Sequence, residues 1–274
     1  MAVCYRHPSR ETGVACSNCG RPICPDCMTP TPVGMRCPEC ARQRTKVVTA
    51  RSMTGVPTVT YALILANVIV FVAELATGLG LFSGPGNSTV VDHLALSRFT
   101  VAHGEWWRLV TSGFLHANLI HIGFNMYILY FLGQMLEPSI GGFRFALIYF
   151  VSLLAGSFGA LLLTKVGLTL GASGAVFGIA GAGVMVMRSR GIDPMQSGLP
   201  LFIGINLLFT VTFSGISIGG HIGGLIGGAL AAVVLFDLGE RRRAMLPQAV
   251  PVLLTLAIGA AAVIGSLAVA HSTF

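Results

Sequence analysis

Charge is what this sequence lacks most. Only 10% of its 274 residues are Asp, Glu, Lys or Arg, against about 25% in a soluble domain. Hydrophobic residues make up 54%, and the mean hydropathy is +0.79. With so few charges the outside of a soluble fold could not be covered, so the composition predicts a polytopic membrane protein. The same shortage excludes a disordered chain and a highly charged DNA-binding domain. Cysteine is missing after residue 40; all seven cysteines lie at or before it. That asymmetry excludes disulfide staples in the apolar part and marks a boundary between two chemistries. The N-terminus has no apolar run, so no cleaved signal peptide is expected.

The first 41 residues hold Cys4, His7, Cys16, Cys19, Cys24, Cys27, Cys37 and Cys40, grouped as CxxH, CxxC, CxxC and CxxC. Two donors at this spacing reach one tetrahedral zinc, so four pairs suit two structural zinc ions. In the crossed arrangement, pairs one and three share one ion and pairs two and four the other; the sequential arrangement stays open. So small a core needs metal to fold. The segment resembles a B-box-like or RING-like set of zinc knuckles, which implies a protein partner. It has no aromatic stacking set, so no nucleic acid partner is expected. Residues 42–58 form a basic linker carrying Arg42, Arg44, Lys46 and Arg51, suited to anionic lipid headgroups.

From residue 59 onward, apolar stretches near the bilayer-spanning length of about 20 residues predict helices at 59–80, 117–136, 144–164, 171–187, 199–214, 219–236 and 248–270. Ser214-Gly215-Ile216-Ser217 supplies the turn between the fifth and sixth. With the N-terminus in the cytoplasm, fourteen of the seventeen Lys and Arg fall inside; only Arg98, Arg108 and Lys165 fall outside. The positive-inside rule therefore places the cysteine-rich module in the cytoplasm, where thiols stay reduced, and the C-terminus outside. The connection 81–113 is too long for a simple link, and its Glu105, Trp106, Trp107 and Arg108 suit the headgroup layer.

Polar residues inside the spans carry the functional signal. They are Asn67, Glu74, His121, Asn125, Ser173, Asn206 and His221, with His116 at the mouth of the second helix. For Glu74, helix tilt or a place near the outer helix end is the expected explanation. His121 lies 16 residues before Glu137, Ser173 lies 15 before Arg188, and His221 lies 16 before Asp237. At about 1.5 Å per residue, all three stand roughly 22–24 Å above the inner boundary, several ångströms below the outer surface of a core about 30 Å thick. Asn125 is one helical turn below His121. Gly171, Gly174 and Gly178 flank the serine, and Gly219, Gly220, Gly223, Gly224, Gly227 and Gly228 flank the histidine. Such ladders let helices four and six cross in contact. A hydroxyl and an imidazole would then meet away from bulk water, the arrangement that activates a serine nucleophile. No acid lies at this depth, so a dyad fits better than a triad. His121 and Asn125 are left to stabilise developing charge.

The ordered set Glu105-x-Trp107-Arg108, His116, His121-x-x-x-Asn125, Gly171-x-Ser173-Gly174 and His221 resembles the rhomboid intramembrane serine proteases over about residues 59–240. The resemblance implies that Ser173 is the nucleophile, His221 the base, and His121 with Asn125 the oxyanion donors. It places Trp107 and Arg108 in a structural loop beside the site and makes residues about 199–218 the substrate gate. It implies an all-α polytopic membrane fold with a six-helix core at 59–240 and an added helix within 241–274; the zinc-stapled module at 1–41 is an added domain outside the resemblance. The expected function is hydrolysis of peptide bonds in or near the transmembrane segments of other membrane proteins, with zinc purely structural and no cofactor needed for catalysis. The expected location is the plasma membrane, with transmembrane substrates and the bilayer as partners. A catalytically inactive rhomboid-like protein that binds membrane clients is the alternative.

Overall fold

The computed structural model describes residues 2–42, 55–82, 88–164, 167–213, 215–239, 247 and 249–272. Arg44, Lys46 and Arg51 of the basic linker, Lys165, Ser214 and Arg241 to Arg243 lie outside these described residues. The chain divides into two compact units, Met1–Ser52 and Met53–Phe274.

In the first unit, β1 (Ala2–Val3) pairs antiparallel with β2 (Glu11–Thr12), β3 (Thr29–Thr31) pairs with β4 (Gly34–Arg36), and α1 (Pro38–Arg42) closes the segment. Its interior is Ile23 packed among six buried cysteines. One isoleucine is far too little apolar volume to hold a domain of this size together. The cysteines themselves make up most of that interior.

The second unit is helical. Among the described residues, five helices are long and apolar enough to cross a membrane: α2 (Thr58–Ala76), α6 (Leu119–Ile140), α7 (Gly142–Leu163), α10 (Ile218–Ala232, widening into a π-helix over Val233–Leu238) and α11 (Ala249–His271). Two shorter apolar helices join them, α8 (Ser173–Ser189) and α9 (Leu199–Thr212). These match the seven expected stretches within a few residues. At two N-termini a helix cap, rather than the end of an apolar run, sets the boundary. Asn118 caps α6 by accepting the His121 N–H at 2.9 Å, and Ser217 caps α10 by accepting the Gly220 N–H at 3.1 Å. At the other end of α6, Pro138 lies inside the helix, so the helix runs past its expected end at 136.

Between α2 and α6 the connection folds into α3 (Thr89–Leu94), α4 (Arg98–Ala102), α5 (Arg108–Thr111) and a 3-10 turn at Ser112–Phe114. Arg108 holds it together: the side chain is 4% exposed, pairs with Glu105 at 2.5 Å, and donates to the Asp92 and Ala95 carbonyls at 2.8 Å each. The loop is tied to α7, whose Ser157 hydroxyl donates to the Leu109 carbonyl at 2.7 Å. Glu137 plays a matching part at the other end of the bundle. Its buried carboxylate accepts from Val59 N–H at 2.9 Å and Thr60 N–H at 2.8 Å, capping α2 where Pro57 offers no side-chain cap.

Lipid tails are as apolar as leucine, so close packing has to hold these helices together. The glycines make it close. A Cβ on Gly224 would stand 2.0 Å from the Gly174 carbonyl oxygen, and one on Gly228 would stand 2.1 Å from that of Gly178. Helices α8 and α10 therefore touch backbone to backbone, as their glycine spacing predicted. A Cβ on Gly219 would also meet the Gly159 oxygen at 2.0 Å, so α7 shares the contact. Gly204 on α9 has nothing within 4 Å of its missing Cβ. Gly228→Ala should cost about 1–3 kcal/mol through overpacking, read as an earlier unfolding midpoint in detergent, whereas Gly204→Ala should leave that midpoint unchanged or raise it.

Candidate active site

Three helices begin at the site. His121 lies in the first turn of α6, Ser173 opens α8, and His221 lies in the first turn of α10. The depth argument from the inner helix ends thus converges on three N-termini. Each presents N–H groups without intrahelical partners and the positive end of its dipole, which suits a centre where negative charge develops.

The connections before α8 are pinned by the α2–α6 loop. Leu96 and Thr169 exchange main-chain bonds at 3.0 and 2.7 Å, and Gly171 N–H donates to the Ser112 carbonyl at 2.9 Å. Gly171 has φ of +129°, a backbone region that residues with a Cβ avoid. A Cβ there would also stand 2.9 Å from His121 Cε1. Glycine at this position lets the chain turn into Ser173 while the His121 ring lies against it.

The Ser173 Oγ stands 2.7 Å from His221 Nε2. The His221 ring stacks on Phe177, with centroids 4.2 Å apart and planes 20° apart. On its far side, Nδ1 lies 2.6 Å from Thr210 Oγ1 on α9. Neither Phe177 nor Thr210 stood out in the sequence. Phe177 is one turn after Ser173, on the same helix face, and that spacing was the available signal. Thr210 looked like any threonine near the end of an apolar helix.

His121 sits beside the serine, and a main-chain contact sets the tautomer of its neutral ring. The Ala117 N–H donates to its Nδ1 at 3.2 Å, so in the neutral ring the proton is on Nε2. Nε2 is the nitrogen near Gly171: it would be 3.1 Å from a Cβ built there. Asn125 is buried one turn further along α6, with its Nδ2 donating to the His121 carbonyl at 2.9 Å. That bond uses one amide hydrogen and leaves the other.

His116, expected at the mouth of the second helix, is fully buried there, its ring edge-on to His121 with centroids 5.1 Å apart. Glu74 is near the end of α2, as expected, but it is turned inward and fully buried. Its carboxylate oxygens accept the His116 N–H at 3.1 and 3.2 Å. It holds the chain that leads into α6, a task its position in an apolar stretch did not reveal.

In the cysteine-rich unit, Cys4, His7, Cys24 and Cys27 form one group of donors and Cys16, Cys19, Cys37 and Cys40 the other, with ligand atoms within 4.8 Å of one another. This is the crossed arrangement. A tetrahedral zinc–sulfur distance of about 2.3 Å places sulfurs about 3.8 Å apart, and Cys19 and Cys37 Sγ are 3.8 Å apart. All seven cysteines are free thiols. The Cys37 N–H donates to Cys16 Sγ at 3.3 Å and holds that thiol down at about 6. Soft donors and tetrahedral spacing fit a metal ion in each group.

Gly171→Ala tests whether the turn before α8 matters. The strained backbone and the displaced His121 ring should lower any serine reactivity at Ser173 by about tenfold or more. The rate of labelling by a fluorophosphonate, compared between the two proteins at equal folded fraction, measures it.

Residues 103–238 match the Rhomboid domain family. The chain is 34% identical over 196 residues to the rhomboid protease GluP of Bacillus subtilis (strain 168), covering 70% of this chain and 38% of that protein. It is 32% identical over 185 residues to the rhomboid YdcA of the same organism, covering 65% of this chain and 93% of that one. It is 41% identical over 100 residues to RHOMBOID-like protein 1 of Arabidopsis thaliana, covering 36% of this chain and 26% of that protein. The chain thus spans well under half the length of GluP, whereas nearly all of YdcA is matched. With the helix order, the loop and the serine–histidine contact in place, the chain belongs to the rhomboid family.

Proposed function

We propose that the protein is an intramembrane serine endopeptidase that cuts transmembrane proteins near the outer end of their spans. The observation that carries this reading is the 2.7 Å contact between Ser173 Oγ and His221 Nε2, made by residues 48 apart in sequence. A serine is inert until a base accepts its proton, and this geometry supplies the base. The same intact contact weighs against the alternative of an inactive client-binding protein.

In the proposed reaction the Ser173 oxygen attacks the carbonyl carbon of the scissile bond and its proton passes to His221 Nε2. The oxyanion that forms is met by the Ser173 N–H, the His121 Nε2–H and the remaining Asn125 amide hydrogen. His221 returns the proton to the leaving amine, and water then releases the acyl group from Ser173 by the same steps in reverse. The substrate helix must unwind before its carbonyls can be attacked, because they are bonded to its own backbone. Helix-weakening residues near the cut, and small side chains beside it, follow from that and from the crowding of glycine around the serine.

The proposed domain order is a zinc-binding module at 1–41, a basic linker at 42–58, the rhomboid core at 59–240 and an added transmembrane helix within 241–274. The proposed topology puts the module in the cytoplasm and the C-terminus outside the plasma membrane. Each donor group would hold one zinc ion, whose part is to fix the fold of the module through its four ligands; a protein partner is the proposed use of the module.

Ser173→Ala and His221→Ala should each abolish cleavage of a model transmembrane substrate while the protein still inserts and folds. Asn125→Ala should be milder, at most about 10²-fold, because other donors remain. Gel analysis of reconstituted protein checks all three; substantial cleavage by Ser173→Ala would remove the assignment. Metal analysis of the full chain should find two zinc ions per molecule, and Cys37→Ser should lose one of them. A wild-type content near one would show that half the donors are not ligands.

A further inference from the structure

Helix α9 is loosely held. Of its residues only Leu199, at the start, and Thr210, near the end, are buried. Thr210 is 2% exposed, and its hydroxyl makes two contacts. One is to the Asn206 carbonyl at 2.8 Å, where the carbonyl oxygen can only accept. That bond uses the single hydroxyl hydrogen. Toward His221 Nδ1, 2.6 Å away, Thr210 must therefore accept, and Nδ1 must carry the proton. In the neutral ring Nε2 is then the lone-pair nitrogen, facing the Ser173 hydroxyl. The donors run in one direction: Ser173 Oγ–H to His221 Nε2, His221 Nδ1–H to Thr210 Oγ1, Thr210 Oγ1–H to the Asn206 carbonyl.

We propose that Thr210 is a positioning residue: it holds His221 in the tautomer and ring orientation that turn the basic nitrogen toward Ser173, and it ties the outer part of α9 to that base. The proposal rests on the serine–histidine reading. Phe177 cannot do this work alone. Stacking fixes the plane of the imidazole, but a half-turn about the Cβ–Cγ bond keeps the plane while exchanging Nδ1 for Cδ2. Only a partner at the ring edge distinguishes the two orientations, and Thr210 is at that edge. A threonine carries no charge, so it orients the ring without neutralising the imidazolium, and its effect is smaller than that of a carboxylate in the same place. Any outward displacement of the end of α9 breaks the bond, so the base is aligned only while α9 is seated.

Thr210→Val keeps the shape and removes the hydroxyl; Thr210→Ser keeps the hydroxyl. On a reconstituted transmembrane substrate, Thr210→Val should lower kcat about tenfold with KM within about twofold, and Thr210→Ser should stay within about twofold of wild type. Nitrogen-15 NMR of the full chain labelled at histidine, with His221 assigned by substitution, should show Nδ1 protonated in wild type and mixed tautomers in Thr210→Val. Full kcat in Thr210→Val, a Thr210→Ser variant as impaired as Thr210→Val, or wild-type His221 protonated at Nε2 would overturn the proposal. The NMR result needs no turnover. A wild-type protein that cleaves nothing would count against the protease reading, while the tautomer would still decide the role of Thr210. If Thr210→Val does not fold, the serine variant and the wild-type spectrum decide it.

Discussion

The carbonyl oxygens of Gly174 and Gly178 occupy the space that side chains at positions 224 and 228 would need. Everything at the site depends on that backbone-to-backbone crossing of α8 and α10. A helix pays roughly 1 kcal/mol for each internal glycine relative to alanine, and in a bilayer there is no hydrophobic gain between helices to offset it. Dispersion across a tight interface has to offset it instead. The crossing is tight enough that one hydroxyl and one imidazole meet at 2.7 Å. Stability and the serine–histidine contact thus come from the same glycines.

Around that crossing, the parts that carry no chemistry do the positioning. Arg108 draws the α2–α6 connection into a compact body, and that connection bonds Thr169 and Gly171 just before the serine. Buried Glu74 holds the His116 main chain at the entry to α6, while Glu137 caps α2 at its other end. Charged side chains are scarce in this sequence, and each of these three is spent on main-chain groups that would otherwise be left unpaired in an apolar setting. Three helix N-termini consequently open at one place, where the positive ends of their dipoles gather. An electrostatic environment built from fixed dipoles needs no rearrangement when charge appears.

Much of this was legible in the sequence because polar residues in apolar spans are costly and therefore few. Counting back from Glu137, Arg188 and Asp237 brought His121, Ser173 and His221 to one depth, and the glycine ladders named the helices that touch. The spacing of the cysteines restricted the donor groups to two arrangements, of which the fold adopts the crossed one. Thr210 was not legible, because a threonine bonding the carbonyl four residues back is commonplace, and its second contact comes from a helix that the sequence cannot dock. Phe177 was hidden among other apolar residues. His116 and Glu74 stood out as polar residues in or beside apolar spans, but nothing in the local pattern shows that both are fully buried. Which way a side chain turns at a helix mouth depends on long-range packing, and local pattern does not record it.

The central claim is that Ser173 is a nucleophile because His221 is its base. Treating the reconstituted full chain with a fluorophosphonate and locating the adduct by peptide mass spectrometry tests this directly. The account predicts a single adduct on Ser173, lost in His221→Ala although Ser173 is still present. An adduct on another serine, none on Ser173 in folded protein, or undiminished labelling in His221→Ala would contradict it.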